Sequence, residues 1–221
     1  MDAIRLFVIR LLFGKYSFVY QEEFRSLARY GKRRSNFLKP CSKVDALTHY
    51  RGAADYLEAV PRFHTDQPIV YNGDDFGVSF RKVKRQKGKF ASYDVSRYGE
   101  KHYWKRLGYR QRIFNSGVHC IYHFLDNVFF FGEFFFSDVR KVDSTAVARS
   151  LMKKYCHKAD APSGNFRISG SDAFIFFQDN GINLSVKYIS TSNGAINAKL
   201  EAILSFKPLE ESAEQEEVMQ L

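Results

Sequence analysis

Nine consecutive residues set the tightest constraint on this chain: Val128 to Phe136 read VFFFGEFFF. Successive side chains of a strand alternate between the two faces of a sheet, so this segment is apolar on both. Such a strand must be covered on both sides, or must bury one face and pack the other under a helix. Val118 to Leu125 is a second β-prone run, joined to it by Asp126-Asn127, a pair that tolerates the positive φ angles of a type I′ turn. The two runs predict a hairpin. Glu133, the one acid in the segment, is expected to stay wet at a bulge or sheet edge beside Gly132.

The cover is expected from the next element. Asp143 or Ser144 can cap a helix in which Val147, Leu151 and Tyr155 form an i, i+4, i+8 stripe. Lys153, Lys154 and His157 stand at its C-terminal end, where cations are favoured. Beyond Pro162 and Gly164, Ala173–Gln178 and Ile182–Ile189 flank Asp179-Asn180-Gly181, a strong hairpin signal. Ile182, Leu184, Val186 and Tyr188 alternate with Asn183, Ser185 and Lys187, which predicts one buried and one wet face. Ile196 to Phe206 is assigned to a strand, although AKLEAIL is also good helix material. The fold class is therefore α+β: an antiparallel β-sheet, hairpin-helix-hairpin in the C-terminal half, with helices packed on one face and a partly helical N-terminal region.

Residues 1–207 are expected to form a single domain, mostly helical and loop over 1–70 and β-rich over 78–207, with one helix near 143–157. Gln21 to Tyr30 places Phe24, Leu27 and Ala28 at helical spacing before Gly31, and a second short helix is expected from Ala53 to Val60. From Val78 onward the pattern reads as solvated strands. Residues 208–221 carry five Glu and no base, an acidic tail expected to be flexible. The 22 Phe residues outnumber the 15 Leu and concentrate in the central hairpin, where they read as core and not as a ligand pocket.

The N-terminus is ambiguous. Ile4 to Phe13, IRLFVIRLLF, has the length of a signal-peptide core, but Arg10 interrupts it and no small-residue cleavage site follows. Arg5 and Arg10 project about 140° apart on a helix, which argues against one polar face and hence against an interfacial helix. A buried first element in a cytoplasmic protein is expected, with a degenerate export signal over 1–20 as the alternative. No run reaches the roughly 20 apolar residues of a transmembrane span. Cys41, Cys120 and Cys156 form neither a disulfide framework nor a metal pair and read as small buried side chains in a reducing compartment.

The net charge of +10 is a local property. Residues 81–112 hold twelve basic and two acidic side chains, the whole of that excess. The cations are interleaved with aromatics, a combination that can neutralise phosphates and stack bases. The candidate binding residues are Lys84, Arg85, Lys87, Lys89, Lys105, Arg106 and Arg110, which would release counter-ions, with Tyr103, Trp104 and Tyr109 as aromatic contacts. Single-stranded nucleic acid or another polyanion is the expected partner of a non-enzymatic binding domain. The alternative is an exported or envelope-associated structural or interaction protein in which the charge is incidental.

No catalytic motif is legible. Asp75-Phe76-Gly77 lacks every companion of the kinase signature, and Asp74-Asp75 after Asn72-Gly73 reads as a turn. His119, Cys120 and His123 are the best metal candidates. In a strand, however, the two histidines lie about 13 Å apart along the chain, too far to share one zinc ion, so no metal or cofactor is expected.

Overall fold

The computed structural model describes residues 2–29, 46–54, 60–98, 101–136 and 142–205. The acidic tail 208–221, Cys41, Gly31 and residues 55–59 of the helix expected over 53–60 lie outside them. Three helices come first: α1 (Asp2–Phe13), α2 (Phe18–Arg29) and α3 (Ala46–Ala54). They are followed by β1 (Arg62–His64), α4 (Phe80–Lys87), β2 (Ser92–Tyr98), β3 (His102–Ile113), β4 (Ser116–Leu125) and β5 (Val128–Phe136). After α5 (Ser144–Cys156) come β6 (Phe166–Ser169), β7 (Ala173–Asp179), β8 (Leu184–Ser190) and α6 (Gly194–Ser205).

The eight strands form one mixed, mostly antiparallel sheet in the order β1-β6-β7-β8-β5-β4-β3-β2, with β1 and β6 parallel. The α+β class stands. The two expected hairpins are parts of longer meanders, β2 to β5 and β6 to β8, so the C-terminal half is not a simple hairpin-helix-hairpin. Asp126 and Asn127 turn between β4 and β5 with φ of 49° and 73°. The β7–β8 turn is longer than Asn-Gly alone: residues 180–183 form it, Asn180 Oδ1 accepting from the N–H of Ile182 and Asn183, and Ile182 is exposed instead of starting the buried face.

The two-faced strand β5 lies in mid-sheet between β4 and β8. Its register to β4 slips between His123 and Phe124, so that Phe130 has no partner and Phe130 and Phe131 pack in the same cluster. Helices cover both faces of the sheet, not one. Val147, Ala148, Leu151, Met152 and Tyr155 of α5 and Phe80 and Val83 of α4 join the cluster on one face. Ala46 of α3 and Ile196, Leu200 and Ile203 of α6 join Trp104, Phe131 and Phe176 on the other. The physical reason is the composition of β5, β7 and β8: every residue of β8 is buried, including Ser185 and Lys187 on the face expected to be wet. Glu133 is likewise buried, 1% exposed and opposite Lys187, because β5 is central and has no edge. Burial lowers the Lys187 pKa, and the Glu133 carboxylate partly opposes that shift.

Three local expectations are corrected. Phe80–Lys87 is a helix and not a strand: Ser79 Oγ accepts from the Lys82 N–H, Gly88 ends the helix at φ 72°, and the two apolar residues, Phe80 and Val83, are spaced i, i+3. Gly194–Ser205 is also a helix, capped by Asn193, whose Oδ1 accepts from the Ile196 N–H. Its buried Ile196, Leu200 and Ile203 at i, i+4, i+7 settle what alternation left open. Finally, α1 is not a buried element. Leu6 is buried, but Phe7, Val8, Leu11 and Leu12 are exposed. Among the described residues no helix is long and apolar enough to cross a membrane.

Candidate functional site

Gly14, at φ 77°, ends α1, and its N–H donates to the Arg10 carbonyl. Ser17 opens α2, its Oγ accepting from the Tyr20 N–H. The turn between them presses Tyr16 edge-on against Tyr93 (5.3 Å between ring centres), Phe90 (5.7 Å) and Phe80 (6.1 Å). The Tyr93 hydroxyl donates to the Tyr16 carbonyl at 2.7 Å. A segment far away in sequence is thereby fixed against α4.

Between this turn and α4 lies a cleft of about 560 Å³. Five cations line it, Lys15, Arg81, Lys84, Arg85 and Lys105, with no carboxylate among the described lining residues. Ser17 and Ser79 bring the N-termini of α2 and α4 to the same wall, where the helix dipoles favour negative charge. Tyr16 and Phe80 form an aromatic floor. Lys84 Nζ lies 4.2 Å from the Tyr16 ring centre, and Lys105 Nζ lies 5.2 Å from that of Phe80.

Lys105 is half-buried. Its Nζ donates to Asn127 Oδ1 at 2.7 Å. Burial lowers its pKa, Asp126 counteracts this, and Arg81 lowers it further. A bound anion favours the charged form, so an anion held here is bound fully while Lys105 is protonated and is released as pH rises through that lowered pKa. Affinity for heparin is expected to start falling below the ordinary lysine range, and Lys105→Arg, which keeps its charge, removes that early fall. Titrating the dissociation constant from about pH 7 to pH 10 checks both.

The residues expected from sequence divide four ways. Lys84, Arg85 and Lys105 line the cleft. Lys87, Lys89, Tyr109 and Arg110 line a shallower hollow of about 350 Å³ by the far end of α4. There Lys87 is engaged by Asp74 Oδ2 and the Asn72 carbonyl, each at 2.8 Å, while Lys89 and Arg110 are exposed. Tyr109 is buried, and its hydroxyl, pushed up to about 12 chiefly by burial, has no partner among the described residues. Trp104 and Arg106 are not on this surface at all. They alternate with Lys105 along β3 and lie on its other face, where Trp104 packs in the cluster with α3 and α6 and its Nε1 donates to His123 Nδ1 at 3.1 Å, and Arg106 Nε donates to Asp94 Oδ1 of β2 at 2.6 Å. A fully buried Trp104 has no face to stack on a ligand, and a buried, paired Arg106 has no counter-ion to release. Tyr103 is half-buried against Phe18.

Sequence reasoning missed Lys15, Tyr16 and Arg81. Arg81 stands inside the basic segment, but Lys15 and Tyr16 are brought in only by the packing of Tyr16 on Phe80 and Tyr93. The other candidates have structural roles. Asp74 closes the Tyr71–Asp74 turn and accepts from the Tyr122 hydroxyl at 2.8 Å. Cys120 packs in the α5-side cluster, whereas His123 bonds Trp104 on the opposite face of β4, so the strand separates them. No group of three possible metal ligands converges among the described residues. Compared with known proteins, the chain matches no family model, no curated sequence and no solved structure.

Proposed function

We propose that this is a binding domain that holds an anionic macromolecule, with the cleft between α4 and the Gly14–Ser17 turn as its principal contact. The observation that carries the reading is the convergence of five cations from three separate segments on one concave surface that no described carboxylate lines. Charges scattered over a solvated face would be interspersed with acids and would not meet across a turn. Lys89 and Arg110 extend the positive surface around α4. The partner's anionic groups displace counter-ions from these side chains, so binding weakens steeply with salt. Affinity for heparin, single-stranded oligonucleotides and anionic vesicles, followed against ionic strength, tests the proposal. The log-log slope for the oligonucleotide is expected near −3, the value for four or five neutralised phosphates on a single strand. Negligible binding to all three at low salt ends it.

One observation favours the alternative of an exported or envelope-associated interaction protein: the outward apolar side chains of α1. N-terminal sequencing of the native product separates the two, since a mature start near Tyr20 would remove α1 altogether.

A further inference from the structure

We infer that the anionic macromolecule is the surface of a phospholipid bilayer, met by the cleft and α1 together; this rests on the cleft reading and names its partner. At about 100° per residue, Leu6, Ile9 and Phe13 fall on one arc of α1 and Phe7, Val8, Leu11 and Leu12 on the opposite arc. The first arc turns toward the molecule at Leu6, 3% exposed, and opens again at Phe13, 57% exposed. On the second, Phe7 is 65%, Leu11 74% and Leu12 70% exposed. Arg5 and Arg10 fall at the two seams between these arcs. The 140° that denied them a common polar face sets one guanidinium at each border of the outer apolar arc. From there Arg10 can reach headgroups, and so can Arg5, whose side chain is 68% exposed although it pairs with Glu23 Oε2 at 3.2 Å, while the arc between them enters the acyl boundary. With twelve residues, α1 is about 18 Å long, too short to cross and suited to lying in the interface plane.

The apolar surface of α1 reaches the cations at its C-terminal end, where Phe13, the last residue of the helix and 57% exposed, lines the cleft beside Lys15. A bilayer containing anionic lipid presents the matching pair of chemistries, a sheet of phosphates over hydrocarbon. An oligonucleotide would satisfy the cleft and leave the α1 side chains in water. It would also find few rings to stack on, since Trp104 and Tyr109 are buried and Tyr16 lies beneath Lys84.

The test uses the full chain, vesicles of phosphatidylcholine with about one-third phosphatidylserine, and vesicles of phosphatidylcholine alone. Wild type is expected to sediment with the anionic vesicles at least about tenfold better. Leu11→Asp with Leu12→Asp, at exposed positions, is expected to lose vesicle binding by at least about tenfold while still binding heparin. Phe7→Trp supplies a second readout, an emission shift to the blue on anionic vesicles, because the native Trp104 is buried and cannot report. If heparin or an oligonucleotide binds and anionic vesicles do not, or if the double Asp variant binds vesicles like wild type, this inference falls and the cleft reading survives. A dimer that the same variant converts to monomer, without vesicle binding, assigns the face to a second copy and also overturns it. Loss of binding to every polyanion removes both readings.

Discussion

Reversing three cleft cations at once, Arg81→Glu, Lys84→Glu and Arg85→Glu, is expected to lower affinity for a single-stranded oligonucleotide or heparin by at least about 100-fold at low salt. With two of the five cations left, the log-log salt slope for the oligonucleotide should fall to about −1.4. The fold is expected to survive. Arg81 and Arg85 are exposed, and α4 is held by Phe80, Val83 and the Ser79 cap, none of which changes. Glu is about as good a helix former as Lys or Arg. The losses are the Lys84 contact with Tyr16, about 0.5–1 kcal/mol, and a few tenths for acids near a helix C-terminus. Unfolding temperature should therefore move by only a few degrees. The decisive control is Arg149→Glu with Lys153→Glu on the exposed side of α5, where Arg149, Lys153 and Lys158 border another hollow. If that pair weakens binding as much, the field of the whole molecule is the binder and the cleft is not.

Gly132→Ala is expected to be among the most destabilising single substitutions in the protein. Gly132 sits in mid-sheet on β5, and a Cβ built there meets the Tyr71 ring, 2.5 Å from Cδ1, where ordinary contacts begin near 3.4 Å. The ring cannot retreat. It is fully buried, packed at 4.7 Å on Phe134 and 4.8 Å on Tyr122, and its hydroxyl donates to the Glu133 carbonyl at 2.6 Å. Overpacking of this kind costs about 3 kcal/mol or more, which in a chain of this size lowers the unfolding temperature by roughly 6–12 °C. Calorimetry checks the value. Combining it with Tyr71→Leu, which removes the obstructing ring, should cost less than the sum of the two single changes. A Gly132→Ala protein that unfolds at the wild-type temperature would show that the strand relaxes around the added methyl group.

The candidate site was half legible. Tyr103, Trp104, Lys105 and Arg106 are adjacent and of the right chemistry for one surface, yet adjacency in a strand is what divides them. Lys105 reaches the cleft, while on the other face Trp104 packs with α3 and α6 and Arg106 pairs with Asp94. The period of two forbids one surface for all four. Lys15 was beyond reach. Nothing near it in sequence signals Arg81, and only the aromatic packing of Tyr16 joins them. The helix over 80–87 is not legible in the sequence because two apolar residues among six polar ones carry too little periodicity to separate helix from strand.

By itself the sequence determined what depends on a few neighbouring residues. VFFFGEFFF required a strand covered on two sides, Asp126-Asn127 specified a tight turn, and Asp143 with Val147, Leu151 and Tyr155 specified a capped, one-faced helix. These follow from local backbone geometry and side-chain alternation, which the chain carries wherever it goes. Only the tertiary structure decided which face each element turns to what. It buried Glu133 and Lys187, gathered five cations from three segments, and left the outer arc of α1 in the open. Those outcomes depend on long-range packing, in which a residue's environment is set by partners dozens of positions away.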